Sequence, residues 1–461
     1  MATQHIIIGG GPAATNAIES IREFGGNEPS IILISDEPAH SRMALPYWLA
    51  GKIPEKHTHT ADDAYFQKLN VDARIGTRVS QVDPANNSIT LDDGSQLEFE
   101  KLLIATGSSP VNPPIPGTDL PGVQPLWSLA HTQSVLDATA GIEKPRVVLV
   151  GAGFIGFIVL NAMFKRHWDL TVIERESQVL PRMLDRDGAS CVEAHLSKLG
   201  IDVHTGVSAQ KIQEADGGSK TVELENGTQL SADMVILATG IQANLGLVEN
   251  SGIETDQAIL VNDQMQTNFP NIYAAGDVAQ GPTLYNDQPQ VHAIQTTAVD
   301  HGRVAGANMA GHEVHYPGSL LMNVADVCGL QTVSFGNWND SQAHNMTIHN
   351  SDENIYRKLL WTGDQITGAI FTGCANDVGM LTDIGMVKGI LQTNTSLGKW
   401  KAFLEENPFD IRRAYIGAGV AQNLIGVTLT GQASRPRGFH FDGATPKAKV
   451  SAAHATFMET M

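Results

Sequence analysis

Cysteine is scarce in this chain. Cys191, Cys328 and Cys374 are the only three in 461 residues, far apart and without a CxxC pair or a closely spaced Cys/His set. That excludes an iron-sulfur cluster or structural zinc held by this chain alone, and no metal site is expected. Basic charge is also short: 30 Lys and Arg stand against 49 Asp and Glu, a formal net charge of -19 with no long basic tract. Phosphate-backbone binding is thereby disfavoured, no nucleic-acid partner is expected, and a protein partner would be steered by positive patches of its own. Long apolar runs are missing as well. The opening HIIIGGGPAA is too short to span a bilayer, is broken by glycine and has no basic residues before it. It reads as a buried strand, and the expectation is a cytoplasmic chain with no membrane span.

What is abundant is glycine, 45 residues, a surplus that suits tight turns and close backbone approach to bound groups. The length allows two to four domains, each with its own core.

The stretch HIIIGGGPAATNAIESIREFG followed by SIILISDE reads as strand, glycine turn, amphipathic helix and second strand. Gly9 permits the tight turn, Gly11 lets the backbone approach a pyrophosphate, and Ala14 keeps helix and strand close. Pro12 and Ala13 open the helix, whose amino terminus faces the diphosphate, and Asp36, with Glu37 beside it, can accept both hydroxyls of a ribose. A second unit, RVVLVGAGFIGFIVLNAMFKRHWDLTVIERE, repeats the pattern with Gly151, Gly153, Phe154, Ile155 and Gly156 at a strand exit and Glu174 closing the next strand. Two complete units are the minimum apparatus for passing a hydride between two dinucleotides. A 2'-phosphate beside Glu174 would meet a carboxylate, and two unit charges about 4 Å apart repel by roughly 4 kcal/mol at an effective dielectric near 20. NADH is therefore expected above NADPH, with Arg175 able to offset part of the repulsion.

Three further strands, KLLIATGSSP, DMVILATGIQAN and NIYAAGDVAQ, end in small residues. They place Ala105, Thr106 and Gly107, then Gly240, then Gly276 and Asp277 at strand exits. A carboxylate at Asp277 suits the hydroxylated ribityl chain of a flavin.

The order GGGPAA, ATG, GAGFIG, ATG and AAGD resembles the pyridine nucleotide-disulfide oxidoreductase family, over roughly residues 4–420. The nearest likeness is to the branch of NADH oxidases, coenzyme A-disulfide reductases, rubredoxin and ferredoxin reductases and the flavoprotein portion of nitrite reductase. The resemblance implies an α/β chain with two Rossmann-like domains of the glutathione-reductase type and a C-terminal α+β interface domain. It implies FAD in the first unit, with Asp277 at the ribityl and pyrophosphate, and NAD(H) as substrate in the second. The implied division is an FAD domain over 1–125 and 256–318, an NAD domain over 126–255, an interface and dimerisation domain over 319–423, and a tail over 424–461. The tail, locally basic at RPRGFHFDGATPKAKV, reads either as a docking arm or as a loosely packed terminus.

In the disulfide-reducing members of that branch the nucleophilic cysteine precedes a GLPY-like segment. Here Ala44, Leu45, Pro46 and Tyr47 match the segment, and Met43 stands at the cysteine position. A thioether has no ionisable proton and forms neither a mixed disulfide nor a sulfenate. The three real cysteines read as buried core residues. Arg42 resembles the arginine of a Y-x-R signature that lies along FAD, with His40 in the tyrosine's place. Lys52 is the candidate catalytic side chain beside the flavin, where it would stabilise negative charge, with a solvated lysine as the alternative. His292 is expected to begin the helix leading from the flavin and to approach its pyrimidine edge, although surface or packing roles suit it and the neighbouring His301, His312 and His315 too. Ile158 replaces a family glutamate and Ala243 a family proline. Trp338 and Trp361 read as core or dimer contacts.

The reading that follows is an FAD-dependent NADH:acceptor oxidoreductase subunit exchanging electrons with an iron-sulfur partner protein, in either direction, with a homodimer as a further expectation. Its alternatives are a stand-alone NADH oxidase or small-molecule reductase, and a structural flavoprotein subunit with an idle NAD cradle.

Overall fold

The structure is a computed structural model that describes residues 4–424 and 429–431. The chain begins with β1 (Gln4–Ile8), α1 (Pro12–Gly25), β2 (Ser30–Ser35), the short α2 (Leu45–Leu49), β3 (Val71–Ile75) and β4 (Lys101–Ile104). There follow α3 (Leu129–Ala138), β5 (Arg146–Val150), α4 (Phe154–Phe164), β6 (Asp169–Glu174), α5 (Arg186–Lys198), β7 (Asp202–Thr205) and β8 (Met234–Leu237). The chain then returns through β9 (Ile272–Ala274) and α6 (Gln295–Met309). It continues as β10 (Met322–Val327), β11 (Leu330–Gly336), β12 (His344–Asn350), β13 (Ile355–Thr362) and β14 (Gln365–Cys374), and helices α7 (Val378–Gln392), α8 (Trp400–Glu406) and α9 (Ile411–Gly417).

Two parallel five-stranded sheets form Rossmann-like units. The first has the order β9-β4-β1-β2-β3, so its edge strand comes from far along the chain; the second runs β7-β6-β5-β8 and closes with the two-residue strand Val123–Gln124. Central strands of parallel sheets are covered on both faces and read as unbroken apolar runs. Ile6, Ile7 and Ile8 in β1 and Val147 to Val150 in β5 are accordingly buried throughout. The third sheet is antiparallel, in the order β10-β11-β14-β13-β12, with α7 to α9 packed on it as the C-terminal α+β unit.

In the first unit α1 and α6 pack backbone against backbone. A Cβ added at Gly302 would come 2.2 Å from the Ala13 carbonyl oxygen, and one at Gly306 would come 2.4 Å from that of Ala17. Only glycine lets the two backbones meet there. Between the second unit and the third sheet, Asn161 of α4 donates to the Asp326 carboxylate of β10 at 3.2 Å.

Two readings from the sequence change. Helix α6 begins at Gln295, not at His292, because Ile294 is extended. His292 is tied down instead: its Nε2 lies 3.1 Å from both the N–H and the carbonyl oxygen of Met322, and its Nδ1 lies 2.8 Å from the Thr297 hydroxyl. Cys191 and Cys328 are buried as expected, but Cys374 is exposed, because β14 ends there and its side chain leaves the sheet. Cys328 itself forms the tight β10–β11 turn with Gly329, both at positive φ, the arrangement a two-residue hairpin requires. Burial raises its thiol to about 12. Among the described residues no helix is long and apolar enough to cross a membrane.

Two buried histidines link the fold to pH. Burial, with Lys101 adding to it, lowers His5 to about 4, and burial, with His292 adding to it, lowers His301 to about 3. Both stay neutral in the folded chain while the unfolded chain takes up a proton on each near pH 6.5. The unfolded state therefore binds more protons between about pH 4 and 6.5, and stability falls as pH drops through that window by roughly 1.4 kcal/mol per pH unit for each histidine. We expect the urea midpoint to fall over that window, and His5→Gln to flatten the dependence by about one proton; an unchanged slope in that variant would refute the assignment.

Candidate functional site

A cleft of about 840 Å³ opens at the carboxyl ends of β1, β2, β4 and β9, where an open parallel sheet leaves room for a ligand. Its floor is the first glycine turn. Gly9 has φ +108, and a Cβ there would lie 2.2 Å from the Ala105 carbonyl oxygen. Gly11 differs: its φ is -77, and a Cβ would meet nothing within 4 Å. What glycine preserves at Gly11 is open space at the amino terminus of α1, the space a diphosphate would occupy. Pro12 and Ala13 line the cleft beside it.

The walls carry most of the residues expected from sequence. Asp36 and Glu37 follow β2; Asp36 pairs with Arg78 at 2.8 Å and Glu37 with Arg42 at 3.1 Å. Arg42 also lies over the Trp127 ring, 5.0 Å from its centroid, and donates to the Trp127 carbonyl at 3.2 Å. Ala105, Thr106 and Gly107 line the middle, where the Asn244 side chain donates to the Thr106 carbonyl at 2.8 Å. Gly276 and Asp277 close that side, and the Ser108 hydroxyl donates to the Asp277 carboxylate at 2.6 Å.

At the far end the lining turns apolar. Met43, 42% exposed, sits in a short 3-10 turn just before α2, and Phe154, Ile155 and Ile158 of α4 reach in with Met322 and Val324 of β10. None of the three cysteines lines this cleft.

Two buried polar atoms here have no hydrogen-bond partner in the protein, although Glu37 Oε1 stands 3.9 Å from one of them, His40 Nε2. His40 gives its Nδ1 proton to the Pro38 carbonyl at 2.8 Å, leaving Nε2 unpartnered, and His131 Nδ1 is likewise unpartnered. Both rings line the cleft, and burial lowers the proton affinity of both against the opposing pull of Glu37. Size, charge and donor set fit a flavin dinucleotide: an open glycine turn, ribose-height carboxylates, unpartnered polar nitrogens and an apolar end.

Other expected residues stand apart. Lys52 is exposed in the turn after α2 and does not line the cleft, so the structure does not bring it to the place of the ring. His292 also lies behind the wall, committed to Met322 and Thr297. The second glycine turn repeats the first beside the same cleft. A Cβ at Gly151, φ +107, would lie 2.3 Å from the Ala238 carbonyl oxygen, one at Gly156 would lie 2.4 Å from that of Gly151, and one at Gly153 would meet nothing within 4 Å. Glu174 is buried, with its oxygens already accepting from Ala152 N–H at 2.7 Å and Glu176 N–H at 2.9 Å. Each oxygen keeps a lone pair for a ribose hydroxyl. Arg175 turns to Glu176 at 3.2 Å instead of offsetting Glu174. Gly240, φ +115, lies where the strand after β8 begins, its carbonyl accepting from Val111 N–H. Among the described residues no cluster of three or more His, Cys, Asp or Glu could hold a metal.

Trp127, His131, Asn244 and Gln295 were not foreseen. Asn244 lay within the GIQAN segment read only as a strand exit, whereas Trp127, His131 and Gln295 join the site through long-range packing that no local spacing announces.

Residues 3–302 match the family described as pyridine nucleotide-disulphide oxidoreductase, and the chain belongs to it. It is thus an oxidoreductase of the flavin- and nicotinamide-nucleotide-binding kind. It is 29% identical over 415 residues to the NADH-dependent phenylglyoxylate dehydrogenase subunit epsilon of Aromatoleum evansii, covering 89% of this chain and 96% of that one. It is 35% identical over 337 residues to an NADH oxidase of Methanocaldococcus jannaschii, covering 71% and 74%. In fold it resembles the covalent putidaredoxin reductase-putidaredoxin complex, with a TM-score of 0.80 and 21% identity over 90% of this chain and 99% of that one.

Gly11→Leu separates ligand space from fold. With φ near -77 and no protein atom in the way, we expect a chain that folds normally by circular dichroism but purifies without the yellow flavin absorbance. Retention of a full complement of FAD would show that the space serves something else.

Proposed function

We propose that this chain is the FAD-dependent NADH:acceptor oxidoreductase subunit of a larger redox system and exchanges electrons with an iron-sulfur protein. The observation that carries the reading is Met43: the thioether lines the apolar end of the cleft, and no cysteine lines it with Met43. Cys191 and Cys328 are buried with thiols raised by burial, and Cys374 ends a strand of the C-terminal sheet, so thiol-disulfide exchange has no resident nucleophile at this site.

Bound FAD would supply the capacity to accept a hydride from NADH and to release electrons one at a time. The residues around it position and shield. Gly9 and Gly11 would let the backbone close on its diphosphate, Asp36 and Asp277 would accept from ribose and ribityl hydroxyls, and Arg42, fixed by Glu37 and Trp127, would hold its phosphate-bearing side. Phe154, Ile155 and Ile158 keep water from the apolar end, where the nicotinamide would stack. Gly151, Gly153 and Gly156 form the second diphosphate turn, and Glu174 favours NADH over its 2'-phosphorylated counterpart. The corresponding division is an FAD part over 1–125 and 256–318, an NAD part over 126–255 and an interface domain over 319–423. The notion of residues 424–461 as a docking arm falls almost wholly outside the described residues.

The overall reaction balances as NADH and two oxidised one-electron centres giving NAD+, a proton and two reduced centres. Two names support a protein acceptor: that of the phenylglyoxylate dehydrogenase relative, itself a subunit, and that of the structural neighbour bound to putidaredoxin. A second reading, a stand-alone NADH oxidase with oxygen as acceptor, draws support from the archaeal relative of that name.

Steady-state assays distinguish these readings. With NADH and no oxygen, we expect rapid reduction of a ferredoxin and no reduction of coenzyme A disulfide, and in air a slower rate with oxygen than with ferredoxin. Dominant oxygen turnover favours the second reading, and robust disulfide reduction contradicts both.

A further inference from the structure

The apolar end of the cleft reaches the surface beside a group of cations. Met43 lines the cleft and is 42% exposed, and Tyr47, one turn further along α2, is 57% exposed. Helix α2 ends against the end of α4: Arg166 donates to the Leu49 carbonyl at 2.7 Å, and a Cβ at Gly51 would lie 3.9 Å from the same guanidinium. Lys52, whose N–H bonds the Tyr47 carbonyl at 2.9 Å, and Lys56 point out from the turn that follows, and Lys165 precedes Arg166. Across this line stands Val324, cleft-lining and 41% exposed, on the same strand as Asp326, which pairs with Lys165 at 3.6 Å.

The charge here runs against the rest of the molecule. The segments after α2 and α4 bring four cations here, Lys52, Lys56, Lys165 and Arg166, beside Glu55, which lies 3.9 Å from His59, and Asp326, which pairs with Lys165, in a chain with 49 acidic and 30 basic residues. Net charge alone suggested a partner with positive patches, and the local charge at the cleft mouth says the opposite. The five residues of α2 span about 7.5 Å, so the cations lie about one short helix from the cleft edge, and a standard interface of about 800 Å² per partner covers both. An apolar centre with a charged rim is the usual make-up of a specific protein interface.

We propose that the surface formed by Tyr47, Lys52, Lys56, Lys165 and Arg166, beside Met43, is the docking site of an acidic iron-sulfur protein. This rests on the electron-transfer reading above. Each docking event passes one electron across the Met43 edge, one ferric iron of the partner's cluster becoming ferrous, and two such events balance one NADH. The exposed lysines supply steering, and Met43, Tyr47 and Val324 exclude water from the contact.

The test uses the full-length, flavin-loaded protein and an acidic [2Fe–2S] ferredoxin as probe. Direct binding of the oxidised ferredoxin should weaken steeply between about 0.01 and 1 M salt, as the screening length shrinks from about 30 to about 3 Å. Lys56→Glu combined with Lys165→Glu should weaken it by about tenfold or more, the scale of electrostatic steering, while flavin content and NADH–ferricyanide turnover stay unchanged. A wild type that does not bind the ferredoxin, binding indifferent to salt, or a variant that binds as well as wild type overturns the proposal. Intact salt-dependent binding without NADH–ferricyanide turnover instead overturns the electron-transfer reading and leaves the surface standing.

Discussion

The cleft exists because backbone passes where no Cβ fits. At Gly9 the chain crosses within 2.2 Å of where a methyl group would strike the Ala105 carbonyl, and at Gly302 and Gly306 helix α6 settles onto the backbone of α1. These approaches pull β1, β4, α1 and α6 into one body and set the strand exits of β1, β4 and β9 around a single opening. Small residues there leave space, and the space is what a cofactor would fill.

The two glycine turns do different work with the same letters. Gly9 and Gly151 are glycine because the protein itself forbids a side chain. Gly11 and Gly153 have ordinary backbone angles and nothing nearby, so protein packing gives no reason for glycine, and a ligand does. The distinction turns a sequence pattern into a physical argument for two bound diphosphates.

Much of this was legible in the chain's letters. Apolar strands followed by glycine turns gave the two Rossmann-like units, and the family resemblance gave the C-terminal α+β unit, whose antiparallel strand order only the structure shows. Met43, Arg42 and Asp277 came from their neighbours in sequence and stand in the cleft. What was not legible depends on side-chain direction and long-range contact. Lys52 lies nine residues beyond Met43, yet the intervening α2 carries it to the surface. His292 is near the cleft in sequence but is drawn behind it by hydrogen bonds to Met322 and Thr297. Trp127, His131 and Gln295 join the wall only because separate elements converge there.

Chemically the site is defined by a sulfur that cannot ionise. With Met43 at the mouth, no cysteine lining the cleft and both buried thiols made less acidic by burial, the proposed reading requires that electrons taken from NADH find no thiol station within the cleft. The most direct measurement is therefore a count: an anaerobic reductive titration of the flavin-loaded protein, followed by absorbance. Uptake of two electrons per flavin, with no thiols becoming newly reactive, is the expected result. Uptake of four, with a pair of thiols appearing on reduction, would contradict the account.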